Sequence, residues 1–155
     1  MCTQKITVRR LAEEDQPLLE EMYDRFIPHG MAMGLPPRDA TRRRDWLAGL
    51  RKGLNLVALV DGVLAGHLAL MPDAGRAEMA VFVREDCRRQ GVGTALTRQA
   101  VEEGREAGLD ALWVLIEASN IPAWQGLKKF GFHAKWQDLH EAEMVFPLQR
   151  EAKAA

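Results

Sequence analysis

The chain has 155 residues, 47% of them hydrophobic and 28% charged, with a formal net charge of -1. That length suits a single domain spanning 1–155, with a fold core over about 5–148, and leaves no room for a linker. The charge balance gives no electrostatic case for nucleic acid, which calls for a clear basic excess. No stretch approaches the roughly eighteen consecutive apolar residues of a membrane span, and the N-terminus has no apolar signal core. The two cysteines, Cys2 and Cys87, make neither a disulfide framework nor a metal site, so a cytoplasmic location is expected.

In chain order, Ile6 to Leu11 alternates as a strand. Leu18, Leu19, Met22, Tyr23 and Phe26 then recur at helical spacing. Pro28 to Pro37 is a breaker-rich loop whose Met31, Met33 and Leu35 offer an adaptable apolar wall for a bound molecule. Thr41 reads as the cap of a second helix through Leu50, with Arg42, Arg43 and Arg44 as a solvated face. Asn55–Val60 and Val63–Leu70 form a hairpin around Asp61-Gly62. A third strand runs from Glu78 to Val83, and the helix after Gly93 ends at Gly108. Ala111–Ile116 is a continuous apolar run, expected for a strand buried on both faces. A helix over 120–130 follows, then an antiparallel pair, Phe132–Trp136 with Glu143–Leu148. The order β-α-α-β-β-β-α-β-α-β-β predicts an α/β fold.

The chemistry concentrates where the third strand meets its helix, at Val83-Arg-Glu-Asp-Cys-Arg-Arg-Gln-Gly-Val-Gly-Thr94. Glycine lets the backbone bend sharply and approach a ligand closely. Successive N–H groups of Arg89, Gln90, Gly91, Val92, Gly93 and Thr94 then converge on an anion at a helix N-terminus, where the peptide dipoles favour negative charge. A dinucleotide fold wants a third glycine where this chain has Leu96, and a P-loop wants Gly-Lys-Ser/Thr where it has Gly-Thr-Ala.

Arg88-x-x-Gly91-x-Gly93, preceded by Ala77-Glu-Met-Ala-Val-Phe-Val83, resembles the coenzyme A motif of the GNAT superfamily of N-acetyltransferases. Ala118-Ser-Asn-Ile-Pro-Ala-Trp-Gln-Gly-Leu-Lys-Lys-Phe-Gly-Phe132 is similar to that superfamily's Asn-x-x-Ala...Lys-x-Gly-Phe signature, and the order of elements agrees. Ala77–Asp86 also looks like the acetyltransferase domain of bacterial protein lysine acetyltransferases. The resemblance implies a mixed, mostly antiparallel sheet of about seven strands flanked by helices. It implies acetyl-CoA as co-substrate, its pantetheine arm along the backbone of Val81, Phe82 and Val83, with an N–H near Val81 facing the thioester oxygen. Asn120 would hydrogen-bond the arm, and Arg88, Arg89 and Lys129 could help neutralise phosphates. A homodimer is in keeping with it.

Transfer needs a neutral amine. A lysine-type amine of pKa about 10.4 costs roughly 4–5 kcal/mol to deprotonate at pH 7, so a proton acceptor is valuable. Glu78, a carboxylate in an otherwise apolar strand, stands where the lysine acetyltransferases carry a glutamate. It is the candidate general base, the alternative being a solvent-facing residue paired across the sheet; Glu117 is second choice. Many superfamily members protonate the leaving thiolate with a tyrosine, but this chain has Leu127 there. A thiol of pKa about 8.5 leaves as thiolate for only roughly 2 kcal/mol, so transfer survives without it. Cys87 beside Arg88 suggests a lowered thiol pKa, yet direct transfer needs no thiol nucleophile. The expected function is acetyl transfer to a primary amine by direct attack in a ternary complex, with a protein lysine favoured as acceptor and a small-molecule amine as the alternative. The alternative is a non-catalytic acyl-CoA sensing module.

Overall fold

The computed structural model describes residues 4–27 and 35–149. Its strands are β1 Ile6–Arg10, β2 Leu54–Val60, β3 Val63–Asp73, β4 Arg76–Val83, β5 Ala111–Glu117, β6 His133–Trp136 and β7 Glu141–Pro147. Its helices are α1 Gln16–Asp24, α2 Ala40–Leu50, α3 Val92–Glu106 and α4 Ile121–Phe130. The sheet runs β1-β2-β3-β4-β5-β7-β6. Pairing is antiparallel for β1–β2, β2–β3, β5–β7 and β6–β7, and parallel for β4–β5. The element order is therefore the one expected. Among the described residues no helix is long and apolar enough to cross a membrane. The loop residues His29, Met31 and Met33, and Cys2, lie outside the described residues.

Two compact units emerge, the described residues of Met1–Met71 with Ala80–Ala100, and those of Pro72–Met79 with Val101–Ala155. In the first, Leu19, Met22 and Tyr23 of α1, with Phe26 just past its end, follow i, i+3, i+4, i+7 spacing and form one stripe in a core with Leu47, Val57 and Phe82. Aromatic edges lock that core, Tyr23 to Trp46 at 5.1 Å and Trp46 to Phe82 at 5.3 Å. The Asp61-Gly62 turn takes positive φ at both residues, 49° and 84°, as a two-residue hairpin requires. A register shift between Ala58 and Leu59 marks the β2–β3 ladder. Opposite it, Gly66 lets α3 come close, since a Cβ there would stand 3.0 Å from both Val92 and Leu96 side chains.

In the second unit Leu112, Ala142 and Met144 are fully buried. Phe130, Phe132 and Phe146 pack ring to ring at 5.3–5.9 Å. Registered pairs of β4 with β5 run from Arg76↔Ala111 to Glu78↔Trp113, and among the described residues they end there. Beyond that point Val114 and Leu115 are only half-buried, so the middle of β5 is less enclosed than its apolar run predicts.

Candidate active site

The glycine-spaced turn forms as its residues dictate. β4 ends at Val83, a short 3-10 turn covers Glu85–Cys87, and α3 begins at Val92. Arg89 and Gly91 take positive φ, 63° and 86°. Gly91 is the residue type that tolerates this, while Arg89 holds a conformation that is strained for a side chain with a Cβ. Among the described residues, no acceptor lies on the N–H groups of Arg89 to Thr94; the first bonded amide of the helix is that of Ala95, to Gly91. A Cβ at Gly93 would meet only Val83 Cγ2, at 3.7 Å, an ordinary contact. Neither φ nor space within the fold therefore calls for glycine at 93. Thr97 Oγ1 donates to the Gly93 carbonyl at 2.7 Å and steadies the first turn.

The side chains around the turn divide clearly. Phe82 is buried in the aromatic core, so only its backbone is available, whereas Val81 and Val83 are half-buried. Arg84 is tied to Asp86 at 2.5 Å. The Arg88 guanidinium donates to Val83 O at 3.0 Å and Ile27 O at 2.7 Å and lies over the Phe26 ring, 5.1 Å from its centroid. Arg89, Gln90 and Thr94 are exposed. The lowered thiol pKa expected at Cys87 is overturned: partial burial, then the Asp86 carboxylate, pushes it up, because Arg88 points elsewhere.

In the other unit Glu78 is exposed on β4 and, among the described residues, bonds to no side chain. Arg76, two residues earlier and so on the same strand face, is taken up by Glu143 at 2.6 Å and lies over the Trp113 ring at 5.5 Å. Paired basicity across the sheet thus goes to Glu143 and leaves Glu78 free. Glu117 is exposed and stands directly opposite Glu141, a like-charged neighbour. Asn120 is the N-cap residue of α4, yet its side chain makes no capping bond. Leu127 is half-buried and offers no proton.

Two polar residues carry more than their sequence context suggests. Arg43, read as solvated, is 8% exposed; it donates to Asp24 at 2.5 Å and to the carbonyls of Pro37 and Arg38. Its spacing to Leu47 and Leu50, i, i+4, i+7, was the available signal. His67, a lone histidine in the strand β3, is wholly buried. Asn55 Nδ2 donates to Leu50 O and Gly53 O, so its Oδ1 accepts from His67 Nε2 at 2.6 Å, and His67 Nδ1 accepts from the Tyr23 hydroxyl at 2.5 Å. Burial, with the nearby Arg51 charge, lowers the His67 pKa to about 4. The chain's one tyrosine is thus engaged in the core.

The profile of the Acetyltransferase (GNAT) family matches residues 16–132. A Bacillus subtilis protein designated a candidate phosphinothricin acetyltransferase is 26% identical over 140 residues, covering 84% of this chain and 85% of its own. The L-methionine sulfoximine/L-methionine sulfone acetyltransferase of Pseudomonas paraeruginosa is 25% identical over 141 residues, covering 84% and 82%. In fold, the structure of a candidate acetyltransferase from Salmonella typhimurium with acetyl-CoA superposes with a TM-score of 0.75 at 20% identity, covering 95% of this chain and 96% of that one.

Proposed function

Because this chain belongs to the acetyltransferase (GNAT) family, an enzyme family that draws its acetyl group from acetyl-CoA, we propose a specific division of labour among its residues. The N–H groups of Arg89 to Thr94 hold the diphosphate of acetyl-CoA. The observation that carries this is the run of amides at the start of α3 that have no acceptor among the described residues, together with a glycine at 93 that the described fold does not need. The exposed Arg89 guanidinium adds charge beside that run. Backbone groups of Val81, Phe82 and Val83 align the pantetheine arm, and the uncommitted Asn120 amide bonds it.

Glu78 takes the proton from the acceptor amine, directly or through one water, as the nitrogen lone pair attacks the thioester carbon. An N–H near Val81 stabilises the oxyanion, the C–S bond breaks, and the thiolate takes a proton from water because Leu127 cannot give one. Freedom from a competing cation, with Arg76 spent on Glu143, suits Glu78 to this task.

The acceptor is a small primary amine of the amino-acid type. Support comes from the names of two relatives that align with 84% of the chain. A protein lysine is the second reading, favoured by the Ala77–Asp86 pattern. The test is acetyl-CoA calorimetry followed by thiol release with phosphinothricin, L-methionine sulfoximine and a lysine peptide. Turnover of either small amine above the peptide is expected. Preference for the peptide would reverse the order of the two readings, and binding without any turnover would make the protein an acyl-CoA sensor.

A further inference from the structure

We propose that Arg76 selects α-amino acids as acceptors, its guanidinium taking the acceptor's carboxylate while Glu78 receives the proton of the neighbouring amine. The inference rests on the reading above, that Glu78 is the base for an amine of the amino-acid type. Arg76 and Glu78 stand two residues apart on β4, so their side chains leave the same strand face from roots about 6.5 Å apart. An α-amino acid, whose amine and carboxylate are one carbon apart, can touch both. The same reading sets the thioester toward Val81. Of the two neighbours of Glu78 on that face, Ala80 is then on the acyl side, and Arg76 is on the side left for the rest of the acceptor.

The guanidinium is held in place without being used up. Its Nη2 donates to Glu143 Oε1 at 2.6 Å, and its Cζ lies over the Trp113 ring, 5.5 Å from the centroid. Trp113 is in turn the registered partner of Glu78 on β5, so cation, ring and carboxylate base share one patch of sheet. Glu143 and the ring thus fix where Arg76 sits and keep it off Glu78. Yet the Arg76 side chain is 41% exposed and, among the described residues, makes no hydrogen bond besides that one, so most of its N–H donors stay open. A planar fork with open donors suits two-point binding of a carboxylate. An ion pair this exposed contributes little to stability on its own. A protein lysine has no carboxylate one carbon from its amine, so this contact separates the two acceptor classes.

The experiment uses the full chain as wild type, Arg76→Gln and Glu143→Gln. The acceptor is phosphinothricin or L-methionine sulfoximine, whichever the wild type turns over faster, supplied as the free acid and as its α-carboxamide, which keeps the amine and loses the charge. The readout is the ratio of kcat/KM for acid over amide, compared between proteins so that the amine's own reactivity cancels, with calorimetry giving the acetyl-CoA Kd. Arg76→Gln should lower that ratio about tenfold or more and leave the acetyl-CoA Kd within about threefold. Glu143→Gln keeps an oxygen for Arg76 to bond but removes a competing charge, so it should raise the ratio about threefold. It carries the test if Arg76→Gln does not fold. A ratio that does not move in Arg76→Gln, or does not rise in Glu143→Gln, overturns the proposal. So does a wild type that acetylates the lysine peptide and neither small amine; in each of these cases the acetyltransferase reading stands. A wild type that acetylates no acceptor overturns that reading itself, and this proposal with it.

Discussion

The two helix starts in the first unit, those of α2 and α3, solve the same electrostatic problem in opposite ways. At α2, Asp39 turns its carboxylate onto the Arg42 amide at 2.9 Å, so the chain supplies its own anion to the positive end of the helix. At α3 no side chain does so, the backbone passes through positive φ twice, and six amides in succession lack a protein acceptor among the described residues. A helix start that needs only stability is capped from within. One that leaves its donors open, on a strained approach, is built for an anion from outside.

The largest effect should separate chemistry from that binding. Glu78→Gln is expected to lower kcat/KM by about 10²–10⁴ while the acetyl-CoA Kd stays unchanged, as kinetics and calorimetry on one preparation would reveal. Unchanged turnover would remove Glu78 from the mechanism.

The next concerns stability, which belongs to the α2 side. His67 holds Asn55, and Asn55 holds the carbonyls of Leu50 and Gly53 just at and beyond the C-terminal end of α2. The folded pKa of His67, about 4, lies below the ordinary value of 6.5, so the unfolded chain takes up its proton first. Its contribution is fully present above pH 6.5 and is lost as pH falls toward 4, by about 3 kcal/mol in total. Urea unfolding at pH 7.5 and 4.5 checks this; His67→Asn should flatten the difference. A wild type equally stable at both would show that His67 accepts a proton while folded.

Two smaller substitutions sharpen the comparison directly. Gly93→Ala should weaken acetyl-CoA binding about tenfold, since a methyl group would then stand where a ligand must approach, with unfolding free energy within about 0.5 kcal/mol of the wild type. Asp39→Ala should do the reverse, costing about 1 kcal/mol of stability with acetyl-CoA affinity unaltered. If both variants behaved alike, the distinction between the two helix starts would fail.

Local periodicity made most of the fold legible. The stripe Leu19, Met22, Tyr23, Phe26, the Asp61-Gly62 hairpin and the glycine ends of α3 and α4 follow from residue type alone. The cap of α2 was misplaced by two residues, because Thr41 and Asp39 are both good caps and only the folded chain shows which carboxylate or hydroxyl reaches an amide. Long-range partners were not legible. Arg43 and Arg88 each sit in basic text, and topology brings the Asp24 carboxylate to the one and the Ile27 carbonyl and Phe26 ring to the other. His67 was hidden likewise, since its partners Tyr23 and Asn55 are 44 and 12 residues away.

The central claim is that the amides of residues 89–94 grip a diphosphate. Calorimetric titration of the wild type with acetyl-CoA and, separately, with acetyl-pantetheine, which carries the same thioester arm without the diphosphate and adenosine, tests it most directly, with acetyl-phosphopantetheine separating the phosphate from the adenosine. The account predicts that acetyl-CoA binds at least about a hundredfold more tightly, a gain of about 2.7 kcal/mol. Equal affinity for the two, or no binding of acetyl-CoA, would contradict it.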